Sequence, residues 1–109
     1  DFGSVTPVGI TNISEIAESY QLLQNYPNPF NPTTTIKFSL PVSGFVSLKI
    51  FDITGRQVNS LFNGFMNGGT YSTRFDAYSL ASGTYFYSLV VNDTKGGRFV
   101  ETKKMVLIK

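Results

Sequence analysis

Apolar and polar side chains alternate with a period of two in four separate stretches of this chain, and turn residues bound each stretch. In residues 33–40, Ile36, Phe38 and Leu40 share one parity, while Thr35, Lys37 and Ser39 take the other. In 45–52, Val46, Leu48 and Ile50 alternate with Ser47 and Lys49; in 70–76, Tyr71, Thr73 and Phe75 share a parity. The strongest case is 83–92, with Tyr85, Tyr87, Leu89 and Val91 on one side. Successive side chains of an extended chain point to opposite faces, so this rhythm buries one face of a strand and cannot line one side of a helix. Between the stretches lie Pro41-Val-Ser-Gly44, Asp52-Ile-Thr-Gly55 and the polar run 92–97. Gly55 supplies the positive φ that its tight turn needs.

Three weaker strands complete the set: a short extended piece at 20–24, a stretch at 56–62 and a returning strand at 98–109. Strict alternation does not put Val58 and Leu61 on one face, which points to a bulge. Residues 63–69 hold three glycines and two asparagines and read as a loop. The sum is an all-β fold: a seven-stranded antiparallel immunoglobulin- or fibronectin-III-like β-sandwich with Greek-key connections. Residues 20–109 form the sandwich. Residues 1–19, broken by Gly3, Pro7 and Gly9, read as a partly disordered linker, in which Ser14 before acidic residues is at most the cap of a short helical turn.

Between the linker and the first strong strand stands Asn25-Tyr-Pro-Asn-Pro-Phe-Asn-Pro32. Pro27, Pro29 and Pro32 fix φ and push the residues before them out of the α region. The segment is therefore extended and turned, with Tyr26 or Phe30 facing inward as its anchor. Near the other end, Leu80-Ala-Ser-Gly-Thr-Tyr85 opens the strongest strand. It has the form of a tyrosine corner, in which the Tyr85 hydroxyl bonds back to upstream backbone. Gly83 there provides either close backbone approach or positive φ.

The chain contains no Cys, His or Trp. That removes thiolate and imidazole ligands, Cys and His nucleophiles and any ordinary Ser-His-Asp triad, so we assign no catalytic, cofactor-binding or metal-binding residue and no cofactor. The seven carboxylates are scattered over linker, turns and strand ends rather than paired across a cleft. Asn92-Asp93-Thr94 offers too few acidic oxygens for Ca²⁺ and reads as a hairpin loop. Phe45, Phe51 and Phe86 fall on the outward parity, which raises sugar binding or an interdomain contact as an alternative role. Net charge is +2, divided as +3 after residue 92 and −1 before it, too weak a field for nucleic acid. Solvated lysines on an edge strand explain it, although Val106-Leu107-Ile108 also makes that strand fit to add to another sheet edge. No apolar run approaches the roughly 20 residues of a bilayer-spanning helix. The chain begins at Asp1 without a signal peptide and reads as a piece of something longer.

Four motifs in order and spacing carry a resemblance over roughly residues 20–109: Asn25-Tyr-Pro-Asn-Pro-Phe-Asn-Pro-Thr-Thr34, Leu48-Lys-Ile-Phe-Asp-Ile-Thr-Gly-Arg56, Leu80-Ala-Ser-Gly-Thr-Tyr-Phe-Tyr-Ser-Leu89 and Lys103-Lys-Met-Val-Leu-Ile-Lys109. Together they resemble the type A C-terminal sorting domain of the type IX secretion system. One departure is Phe75-Asp76, where the family usually has Trp before the aspartate. The resemblance implies a non-catalytic, immunoglobulin-like domain fused behind a cargo domain and sent through the periplasm and outer membrane to the cell surface. It implies as partners the outer-membrane type IX translocon and a sortase-like peptidase, with attachment of the cargo to anionic lipopolysaccharide. It maps the sorting signal onto Lys103, Lys104, Met105, Val106, Leu107, Ile108 and Lys109, and the Gly-x-Tyr element onto Gly83 and Tyr85. The alternative is an accessory spacer or carbohydrate-binding sandwich of an extracellular glycosidase or peptidase.

Overall fold

The computed structural model describes residues 10–14 and 17–109. They form eight strands: β1 (Ile10–Ser14), β2 (Gln21–Leu22), β3 (Thr33–Leu40), β4 (Gly44–Asp52), β5 (Gln57–Met66), β6 (Gly69–Asp76), β7 (Gly83–Asp93) and β8 (Arg98–Leu107). All pair antiparallel, in two four-stranded sheets ordered β1-β6-β3-β2 and β5-β4-β7-β8. The chain crosses from one sheet to the other after β3, β5 and β6, so the central pairs β3–β6 and β4–β7 interlock in a Greek-key arrangement.

Alternation translates directly into the core. Ile36, Phe38 and Leu40 of β3, Tyr71 and Phe75 of β6, Val46, Leu48 and Ile50 of β4, and Tyr87, Leu89 and Val91 of β7 are all buried between the sheets. Phe38 stacks on its ladder partner Tyr71, with ring centroids 5.6 Å apart. Each such side chain contributes about 1.5–3 kcal/mol of burial free energy, the force that fixes register, since a one-residue slip would expose the whole set.

Three expectations need correction. An eighth strand lies upstream of Tyr20: Ile10–Ser14 pairs with β6, so Ser14 is a strand residue and caps no helical turn. Ile10 is buried and Ile13 exposed, while Glu15 and Ile16 lie outside the described residues. Pairing with β6 provides the hydrogen bonds that a five-residue segment with one buried apolar side chain cannot signal by itself. Secondly, β5 runs on to Met66, so most of the stretch read as a loop is strand and only Asn67 and Gly68 make the turn. Its Asn and Gly residues are held by the ladder to β4 (Val46↔Gly64, Ser47↔Asn63). Thirdly, Gly44 does more than turn the chain: a Cβ there would sit 2.6 Å from the Asn92 carbonyl oxygen and 2.7 Å from Asp93 Cα. The expected bulge is present, and doubled. Leu48↔Phe62 is followed by Lys49↔Ser60, and Ile50↔Asn59 by Phe51↔Gln57, which leaves Leu61 and Val58 as extra residues.

Candidate functional site

Residues 103–109 do not form a uniform tail. Alternation along β8 buries Met105 and Leu107 in the core, half-buries Lys103 and Val106, and leaves Lys104 exposed. Lys103 Nζ pairs with Glu101 at 3.2 Å, two residues back on the same face. Ile108 and Lys109 run past the strand and are exposed, yet both are fastened. The Ile108 N–H donates to Phe30 O (2.9 Å), and the Lys109 N–H to Ser82 Oγ (3.1 Å). Lys109 Nζ donates to the carbonyls of Tyr78 (2.5 Å) and Leu80 (2.6 Å) and lies 5.7 Å from the centre of the exposed Tyr78 ring.

The proline segment lies along the outer edge of this half of β8. Phe30, buried against Phe75 at 6.2 Å between centroids, is the anchor, and Tyr26 stands 81% exposed. Phe30 N–H donates to Val106 O (2.9 Å), Val106 N–H to Asn28 Oδ1 (3.0 Å) and Gln24 Nε2 to Lys104 O (2.7 Å). The edge expected to be free at Val106-Leu107-Ile108 is therefore occupied by the chain's own 24–30 segment. The peptides before Pro27, Pro29 and Pro32 are cis. Pro27 O accepts from Asn25 Nδ2 (3.1 Å) and Thr34 Oγ1 (2.9 Å), and Pro32 O from the Ala77 N–H (2.9 Å). Proline has no N–H to leave unsatisfied in such a segment, so only its carbonyls need partners.

Two tyrosine hydroxyls tie this region together. Tyr85 Oη donates to Ala81 O at 2.7 Å, the back-bond of a tyrosine corner, and Gly83 takes φ 152° with open space where a Cβ would be. Its role is thus conformational rather than one of close approach. Gly55, at φ 88°, closes its turn by donating to Asp52 O (2.9 Å). Tyr87 Oη, in the core, donates to Leu23 O (2.7 Å) and accepts from the Asn25 N–H (2.8 Å). Burial pushes its pKa up to about 12. Nothing in the alternation pattern distinguishes Tyr87 from an ordinary core aromatic, and Gln24, Asn28 and Tyr78 carry no local signal either.

At the far end of β8 a second fastening holds the chain upstream of β2. Tyr20 stacks on Phe99 (5.0 Å, 13°), and its hydroxyl donates to Asp93 Oδ2 at 2.5 Å. Asp93 Oδ1 accepts from the N–H groups of Lys95 (2.9 Å) and Gly97 (2.7 Å), so this carboxylate is committed to the hairpin turn. The Tyr20 bond first, and then the Gly97 amide, lower the Asp93 pKa; burial and the carboxylate raise Tyr20 to about 12. On the outer face of the second sheet, Phe51 and Phe86 are ladder partners beside a shallow open depression shared with Ile53, Ser88 and Thr102. Phe45 is exposed beside its partner Phe65. Among the described residues no cluster of three or more metal-ligating side chains occurs.

The family model described as the secretion system C-terminal sorting domain matches residues 24–108. The chain belongs to this family. The sorting domain is similar in structure to dimeric latent PorU from Porphyromonas gingivalis, at 27% identity and a TM-score of 0.63 over 85% of this chain. It spans only 10% of that protein. CopC from Methylosinus trichosporium OB3b shares the fold at 18% identity and a TM-score of 0.51, with 82% of this chain and 93% of that chain covered. No curated protein matches the chain significantly. The domain is a type IX secretion signal that sends its carrier through the outer membrane to the cell surface or beyond. Sorting domains of this family are typically non-catalytic, and a cargo domain fused N-terminally and type IX machinery are implied with it.

Proposed function

We infer that the type IX translocon reads this domain at the exposed residues on and just beyond its last strand, Lys104, Ile108 and Lys109, and that Lys103 supports them. Met105 and Leu107 act by keeping that strand in the core and Val106 by its backbone bonds to Asn28 and Phe30, and the domain performs no chemistry of its own. A sortase-like peptidase then cleaves in the stretch ahead of Tyr20, and the released cargo is attached to anionic lipopolysaccharide. The observation that carries the reading is the match over residues 24–108 together with the division of residues 103–109 into buried and presented side chains.

Deletion of residues 103–109 would remove Met105 and Leu107 from the core and so confound export with unfolding. The sharper experiment fuses residues 1–109 behind a periplasm-targeted fluorescent reporter in a type IX-competent host. It compares Lys104→Ala, Ile108→Ser and their combination with the unaltered domain. The expected result is reporter retained in the periplasm while the variant domains keep their melting temperature. Normal surface display by the double variant would overturn the assignment of these residues.

A further inference from the structure

The described strands leave four edges, and three are visibly managed. β5 carries two bulges, β1 has a register shift between Asn12 and Ser14, and β2 is two residues long. Short or bulged edges of this kind resist pairing with a further strand. β8 differs, because its ladder to β7 is regular for ten consecutive pairs. Residues of an antiparallel strand alternate between turning both backbone groups toward a neighbour and turning both away. Val106 turns its N–H and C=O away from β7, toward Asn28 and Phe30, so Lys104, Thr102, Val100 and Arg98 do the same. The 24–30 segment satisfies this edge from the Lys104 carbonyl onward. Among the described residues nothing meets the outward N–H and C=O of Val100 and Thr102. Val100, at the centre of this open stretch, is 53% exposed, and neither Pro nor bulge interrupts it.

Charge selects the occupant. The outward-pointing positions of β4, β7 and β8 include Lys49, Arg98 and Lys104 and no carboxylate; Asp52, at the end of β4, lines the depression beside Thr102 but is engaged by Arg56 and Thr54. The acidic groups nearest the edge are already engaged, Glu101 with Lys103 and Asp93 with Tyr20 and the turn amides. A second copy docked through the same edge would bring its own Arg98, Lys104 and Lys95 against these cations. We propose that the open edge of β8, residues 98–102, is a docking site for an extended acidic segment of another protein, which joins the second sheet as a further strand. Main-chain bonds to Val100 and Thr102 supply the attachment, and Arg98 and Lys104, at the two ends of the open stretch, select acidic side chains. This surface does not depend on the sorting reading, since it is a property of the isolated domain.

The test titrates the 109-residue chain with a short acetylated peptide alternating valine and glutamate, followed by backbone amide NMR. Shifts should concentrate on residues 98–104, with the Val100 and Thr102 amides becoming protected from exchange. The same peptide with lysine for glutamate should bind about tenfold more weakly or worse, a loss of about 1.4 kcal/mol. Val100→Pro should abolish binding, because it removes an outward N–H while leaving the ladder to β7 intact. A peptide N-methylated at alternate residues probes the same bonds against the unaltered protein and should not bind. Equal binding by Val100→Pro, or by the N-methylated peptide, would overturn the proposal. So would shifts centred on Phe51 and Phe86, or dimerisation through β8 at the same concentrations, which would give the edge to a second copy.

Discussion

The two edge strands of the second sheet, β5 and β8, solve one problem in different ways. β5 breaks its own regularity: the extra residues Val58 and Leu61 twist it and spoil the row of backbone groups that another chain would need. β8 stays regular, and its protection comes from elsewhere in the chain. Residues 24–30 cover it from Lys104 onward, leaving the stretch around Val100 open. The contrast teaches that a bulge is a local property of one strand, whereas a covered edge depends on a tertiary contact and is lost when that contact is broken.

The largest effect should follow from removing the anchor of the cover. Phe30→Ala empties a buried site between Phe75 and the end of β8 and should cost about 3–5 kcal/mol in urea unfolding. Hydrogen exchange at the Val106 and Ile108 amides should accelerate in the same variant, while the amides of β5 change only with global stability. Equal acceleration along β5 would show that the cover is no separate device.

Tyr87→Phe is the next largest. It leaves Leu23 O without its donor and the Asn25 N–H without its acceptor, at about 1–3 kcal/mol. An unchanged unfolding midpoint would show that water replaces the hydroxyl and that the cover is held by Phe30 alone.

Titration should separate the two ends of β8. The Asp93 pKa is depressed below its ordinary 3.8, so its contribution is present above that value and is lost as pH falls through the lower folded value. Tyr20 and Tyr87 are raised from 10.0 to about 12; the folded state then holds protons that the unfolded chain releases, and stability declines as pH rises from 10 toward 12. Tyr20→Phe should flatten the acid limb of the melting-temperature profile and leave the Tyr87 part of the alkaline limb. An acid limb unaffected by that change would assign it to another carboxylate.

The smallest effect belongs to the β4–β5 turn. Arg56 pairs with Asp52 at 3.1 Å, but its side chain is 78% exposed. Arg56→Ala should leave the melting temperature unchanged within error, because a solvated ion pair contributes almost nothing and the turn rests on Gly55 and on amide bonds to Asp52. A clear loss of stability would mean that the β5 edge needs this charge pair as well as its bulges.

Several of these features were legible in residue order because their causes are local. Alternation placed β3, β4, β6 and β7 and selected their buried residues. Failure of alternation at Val58 and Leu61 announced the bulges. Gly83 and Tyr85 marked the corner within a few residues of the carbonyl that Tyr85 reaches. Misread segments had weak local signals and strong distant partners. β1 forms because β6, some sixty residues away, offers its edge; the second half of β5 forms because β4 pairs with its Asn and Gly residues.

The same division holds for residues 103–109. Residue order alone set a basic pair, a four-residue apolar run and a final lysine, together with the motif of a sorting domain. Which of them are buried and which are exposed was settled only by the packing of the two sheets. The tertiary structure put Met105 and Leu107 in the core, pinned Lys109 to the carbonyls of Tyr78 and Leu80, and laid the proline segment over the edge at Val106. The physical reason is that burial of a side chain follows from the parity of its own strand, whereas occupation of a backbone edge depends on which remote segment arrives there to bond it.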